Sequence, residues 1–151
     1  DPYTAAAVLA SGAVDGSMKE MLIERVKKAI SEREDGSKVL PVPADVTRPD
    51  GYPPSEVETT ALAALALTGA ADAKALLPDL GASILSAYRP SSGFSDGYAN
   101  LIALRAVIEI FHEPVPPNVK VSLAIDGRTL TESTLSGDKG KEVLALVAPM
   151  A

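Results

Sequence analysis

The 151-residue sequence contains no cysteine, no tryptophan and one histidine, His112. Without cysteine there is no disulfide, no thiolate metal site and no cysteine nucleophile. A lone histidine removes a histidine-rich zinc site and leaves little for a Ser-His-Asp triad. Aromatic residues are scarce, at 4%. A basic stripe is missing as well. Fourteen Lys and Arg face twenty Asp and Glu, a formal net charge of −6, whereas a nucleic-acid surface needs positive charge to displace counterions. The longest unbroken apolar run, Ala61 to Leu67, falls far short of the roughly 20 residues of a membrane span. Asp1-Pro2-Tyr3-Thr4 carries no basic n-region, so no signal peptide is read there. No Gly-x-Gly-x-x-Gly or Gly-Lys-Ser/Thr phosphate cradle occurs. Asp15-Gly16, Asp35-Gly36, Asp50-Gly51 and Asp126-Gly127 lack the alternating acidic spacing of a calcium loop and read as turns. No catalytic residue, cofactor or metal is expected.

What is present is a chain of 46% hydrophobic and 23% charged residues, which excludes a wholly disordered polymer. It begins at Asp1 and stops at Met150-Ala151 after an apolar run, which reads as a piece of something longer. Two textures divide it. Residues 1–113 are rich in Ala and Leu and read as helical; residues 114–151 are β-branched and alternating. Pro114, Pro116 and Pro117 mark the join, where proline cannot continue a helix.

Five helices fit the first part. The first spans Pro2 to Ala10, with Gly12 just past its end. The second opens on a capping box, Ser17-Met18-Lys19-Glu20, and is expected to end near Glu34. Its apolar positions Leu22, Ile23, Val26, Ala29 and Ile30 recur at intervals of three and four, which makes it one-sided. Ser37 to Pro54 forms a long proline-rich connection, of a length that usually marks function or a strap over a neighbour. A second capping box, Ser55-Glu56-Val57-Glu58, opens a third helix to about Thr68, apolar all round from Ala61 to Leu67 and so in need of cover on every side. A fourth, from about Asp72 to Tyr88, is weakened by Pro78 and Gly81 and divides naturally into two pieces. The fifth runs from Ser95 or Asp96 to Phe111.

Thr4 to Ala10 echoes Thr60 to Ala66 at five of seven positions, and Asn100 to Ala106 keeps two of the alanines, Ala103 and Ala106. Apolar first, third and fifth helices alternating with amphipathic second and fourth ones are what a two-layer helical repeat requires. In the tail, Val119, Val121, Leu123 and Ile125 alternate with Lys120, Ser122 and Ala124, the period of a half-buried strand. Asp126-Gly127 supplies a type I′ hairpin turn. Arg128 to Leu135 returns, and Glu142 to Val147 makes a third strand.

Asp1-Pro2-Tyr3-Thr4-Ala5-Ala6 opening a helix, then Glu56-Val57-Glu58-Thr59-Thr60-Ala61-Leu62-Ala63-Ala64-Leu65, resembles the later part of the thioester-domain toroid of bacterial alpha-2-macroglobulins. Gly93-Phe94-Ser95 before an Ala/Leu helix resembles that family's Gly-Gly-Trp-Gly-Ser-Thr-Gln segment. Val119-Lys120-Val121-Ser122-Leu123 with Asp126-Gly127 resembles the β segment that resumes after the toroid. The order of the segments agrees, and the likeness covers most of the chain. It implies an incomplete α/α toroid followed by an antiparallel β meander, within a large extracytoplasmic protein that captures proteases once a bait segment is cut. Two departures stand out. The Cys-x-Glu-Gln thioester motif is absent, so it lies upstream if the parent has one. The family's Trp is Phe94 here, and its Thr-Gln is replaced by Asp96-Gly97.

Tyr52, Phe94, Asp96 and Tyr98 are the candidate interaction surface, because aromatics in loops and at helix starts can grip a partner. The alternative is that the aromatics plug loops onto helix ends; Phe94 in particular is expected to be buried. Glu56 and Glu58 could suggest an acid–base pair of the glycosidase kind. Two residues apart on a helix they face different ways, and acidic residues in a first turn complement the macrodipole. His112 at a helix C-terminus reads as a dipole partner. Rival readings are a terpenoid cyclase or prenyltransferase toroid, disfavoured by the few aromatics and the lack of an Asp-Asp pair, and a stand-alone protein-binding helical module. An odd number of helices predicts an open ring whose exposed apolar edge self-associates.

Overall fold

The computed structural model describes residues 1–112 and 118–135 and divides into two units, Asp1–His112 and Glu113–Ala151. The first is helical. In α1 (Pro2–Ala10) the Asp1 carboxylate accepts from Thr4 N at 2.8 Å, and proline occupies the first position, where its missing N–H costs nothing. The chain leaves this helix through Gly12, at φ 71°.

Helix α2 (Gly16–Ala29) differs from expectation at both ends. It starts two residues early, with Asp15 in the N-cap position making no side-chain bond, so Ser17 lies inside the first turn rather than at the cap. It stops at Ala29, well before Glu34, because the next residues pair as a strand. Ser31–Glu32 (β1) runs antiparallel to Lys38–Val39 (β2). Between them the Arg33 amide donates to Ser37 O at 2.9 Å, and Asp35 Oδ1 accepts from Ser37 N at 2.9 Å. Gly36, at φ 81°, supplies a left-handed conformation that a side chain would resist.

The connection from Leu40 to Ser55 is a strap over α3 (Glu56–Leu67). Leu40 is fully buried, its N–H donates to Thr60 Oγ1 at 3.1 Å, and its carbonyl accepts from Thr59 Oγ1. Every residue of α3 from Glu58 to Leu67 is buried, as an all-apolar helix requires. It packs against α1, α4 and α5, while α2 lies chiefly on α1. Alanine at 61, 63, 64 and 66 keeps the side chains at these contacts small. The larger members of the core include Leu40, Leu67, Leu80 and Ile84, each worth about 1.5–3 kcal/mol in burial.

The weak fourth segment does divide, into a 3-10 helix at Ala71–Leu76 and α4 (Leu77–Ser86), with Pro78 in the tolerant first turn of the latter. Gly81 lets α5 (Gly97–Ile110) come close, since a Cβ there would lie 2.7 Å from the Phe111 ring. Ala99, Ile102, Ala103 and Ala106 turn α5 toward the core. Its other side leaves Leu101, Leu104 and Ile108 exposed, while Phe111, just beyond its end, is half covered by its contact with Gly81. Among the described residues only α3 is enclosed all round, so the three echoing helices are not equivalent.

In the second unit, β3 (Val119–Ile125) and β4 (Arg128–Leu135) form an antiparallel hairpin. Asp126 and Gly127 take φ values of 49° and 75°, the double positive of the expected I′ turn. A register shift falls between Leu123 and Ala124. Lys120 Nζ meets Glu132 at 2.7 Å across the strands. The third strand expected at Glu142 to Val147 lies outside the described residues.

Candidate functional site

The strap, the start of α3 and the start of α5 meet around one side chain, Arg48. A tight turn carries it: the Arg48 N–H donates to Tyr52 O at 2.8 Å, and Gly51 N donates back to Arg48 O at 2.9 Å. Asp50 Oδ1 accepts from Tyr52 N at 3.1 Å, while Gly51 takes φ 86°. This places Arg48 inward and Tyr52 outward.

Opposite the turn, Asp96 caps α5, its Oδ1 accepting from Ala99 N at 2.9 Å. Asn100, one turn on, fixes the entering loop. Its Oδ1 accepts from Phe94 N at 2.9 Å, and its Nδ2 donates to Asp96 O at 2.8 Å. Gly93 sits against that amide at φ 67°, where a Cβ would collide with Asn100 Oδ1. Ser95 is held at φ 129°, a strained value for a residue with a side chain.

Arg48 then bridges three carboxylates. Nη1 lies 3.0 Å from Glu58 Oε2 and 2.8 Å from Asp96 Oδ2, and Nη2 lies 3.2 Å from Asp50 Oδ2. Glu58 is completely buried, and its second oxygen accepts from the Tyr3 hydroxyl of α1 at 2.8 Å. Buried charge of this kind is tolerable only when paired and hydrogen-bonded. The hydrogen bond to Asp96 raises the Arg48 pKa against the opposing effect of desolvation. The Ala99 amide, with Arg48 adding to it, holds the Asp96 carboxyl below its usual range. Burial, followed by the bond to Glu58, pushes the Tyr3 phenol up.

Above this cluster opens a cleft of about 600 Å³ lined by Arg48, Asp50, Tyr52, Ser95, Asp96 and Tyr98, among others. Three of the four residues singled out from the sequence, Tyr52, Asp96 and Tyr98, thus come together at one place. Phe94 does not join them. It is buried, as expected for a plug, with its ring edge-on to Tyr88 at a centroid distance of 5.3 Å. Glu56 and Glu58 part company: Glu56 pairs with Arg33 near the surface while Glu58 faces inward. Glu56 stands in the first turn, near the positive end of the macrodipole, whereas Glu58 is turned into the core. The Ser55 hydroxyl accepts from Glu58 N at 3.3 Å, as in a capping box, yet the Glu58 carboxylate is engaged by Arg48 and Tyr3. His112 Nδ1 donates to Glu109 O at 2.6 Å at the end of α5.

Arg48 and Tyr3 were not singled out by the sequence. The available signal was Glu58 itself, a carboxylate one turn into a helix otherwise destined for burial, with a single Arg in the acidic strap before it. Among the described residues no group of three His, Cys, Asp or Glu side chains is arranged to hold a metal ion. The cluster's evident chemistry is the fixing of charge: one cation holds three anions at the mouth and floor of an open cleft. Comparison of the chain with family models, curated proteins and solved structures finds no match.

Proposed function

We propose that this chain is part of a bacterial alpha-2-macroglobulin-like protease inhibitor, contributing a segment of α/α toroid and the β segment after it. Its role is scaffold and interaction surface, without catalytic chemistry of its own. The observation that carries this reading is the enclosure of α3, packed against α1, α4 and α5. The stretch that most resembles the family, Glu56 to Leu65, is the one whose polar members tie α1 and the strap to that helix. The uncovered stripe of α5 also suits a ring left open. In this reading the parent is extracytoplasmic, its partners are proteases, and any thioester lies upstream. Its mechanism is conformational: the parent closes around a protease when its bait is cut.

The test is to sequence the reading frame beyond Asp1 and Ala151, express the full product and incubate it with a broad-specificity protease. A run of β domains upstream is expected. The protease should lose activity on protein substrates while keeping it on a small peptide, because a trap excludes by size. A frame bounded at these residues, or a product that leaves protein digestion unchanged, overturns the reading.

A further inference from the structure

Helix α5 turns one side to the core through Ala99, Ile102, Ala103 and Ala106. Its outer side carries Leu101, Leu104 and Ile108, which are 64%, 52% and 68% exposed. At about 100° per residue these three fall in one band along the helix. Arg105 and Glu109 follow one flank of that band, a turn apart. Both are exposed, and among the described residues neither is in an ion pair. The face therefore combines apolar surface with one charge of each sign, a locally neutral area on a chain whose net charge is −6.

That pattern is self-complementary. Two copies of α5 laid antiparallel, about a twofold axis at the level of Ala106, set Leu104 of each against Ile108 of the other. The same operation brings Arg105 of each copy toward Glu109 of the other, so two ion pairs form symmetrically. A parallel pair would place Arg105 beside Arg105 and Glu109 beside Glu109, which like-charge repulsion disfavours. A partner with a uniformly acidic or basic face would satisfy one of the two charges and oppose the other. We propose that the outer side of α5 is a self-association face, occupied by a second copy of this chain in an antiparallel, twofold pair. A helix of 14 residues offers a seam of about 20 Å. That is less than a standard interface, so the dimer forms with a dissociation constant on the order of 10 micromolar. This inference goes beyond the protease-trap reading and stands independently of it.

Size-exclusion chromatography with light scattering of the full 151-residue chain is expected to show a dimer that dissociates on dilution, and no larger species. Arg105→Glu sets like charges at both pairs, as does Glu109→Arg. Each alone should weaken the dimer about 10-fold, with circular dichroism unchanged. Mixing the two single variants should restore it, because every pair between the unlike chains then joins opposite charges. Damage to the helix cannot produce that recovery. The double variant Arg105→Glu with Glu109→Arg should likewise dimerise as the parent does. Four results overturn the proposal: a monomeric parent, whether the chain itself or a different protein covers the band; an open-ended series of oligomers; single variants that dimerise like the parent; or a mixture that yields no heterodimer in native mass spectrometry.

Discussion

Glu58 shows how much one buried carboxylate can organise. It sits inside α3, takes a hydrogen bond from α1 through Tyr3, and takes an ion pair from the strap through Arg48. Removing one partner of such a pair is worse than removing both, because the survivor is left charged and desolvated. Arg48→Met should therefore lower the denaturant midpoint more than the double change Arg48→Met with Glu58→Met. Urea unfolding followed by circular dichroism would order the three proteins; a double variant less stable than the single one counts against the argument. Tyr3 gives a second handle. Its folded pKa is raised, by burial first and then by Glu58, so the stability linked to it is complete below the unfolded value near 10 and is lost as pH rises. Tyrosinate absorbance during an alkaline titration should contain a late phase coincident with unfolding. Tyr3→Phe should abolish that phase.

Among the elements, α3 and α5 make opposite predictions from similar sequences. Leu67 is fully enclosed, and Leu67→Ala should cost about 3 kcal/mol by leaving a cavity. Ile108 lies on the exposed side of α5, and Ile108→Ala should change stability by less than ~0.5 kcal/mol. Denaturant melts of the two variants check both. This contrast was only partly legible in the sequence. Alternation of apolar residues with capping signals gave α1, the start of α3 and the division before α4, because those depend on neighbours along the chain. The turn at Asp126-Gly127 was legible for the same reason. The end of α2 was not: Ser31 and Glu32 leave the helix to pair with Lys38 and Val39, a choice made between residues rather than within a run. Arg48 escaped notice because its value depends on Glu58, 10 residues away, and on Asp96 in a distant helix, while Tyr3 meets Glu58 across 55 residues. Tyr52, Asp96 and Tyr98 could be picked out one by one as exposed aromatics and a cap, but their convergence on one cleft is a property of the fold.

At the scale of the whole molecule, the buried core found among the described residues belongs to the helical unit. The stripe Leu101, Leu104 and Ile108 is the largest set of exposed aliphatic side chains on a single element there, and patches of that kind tend to be covered. Sedimentation velocity of the isolated chain should show concentration-dependent association despite its net charge of −6. Leu104→Lys together with Ile108→Lys should shift it toward monomer; a strictly monomeric parent at high concentration would count against an open edge.

The sealed circumference of α3 also bears on how this chain can vary. A helix that touches neighbours all round has no side on which substitutions go unnoticed, and its alanines leave no slack for an added methylene. Saturation mutagenesis read out by abundance should find one continuous block of intolerance from residue 58 to 67, without the three-to-four rhythm that an amphipathic helix such as α2 would display. A drifting sequence could lose most of its surface identity and still keep that block, so the block is the mark by which distant descendants of this chain could be found.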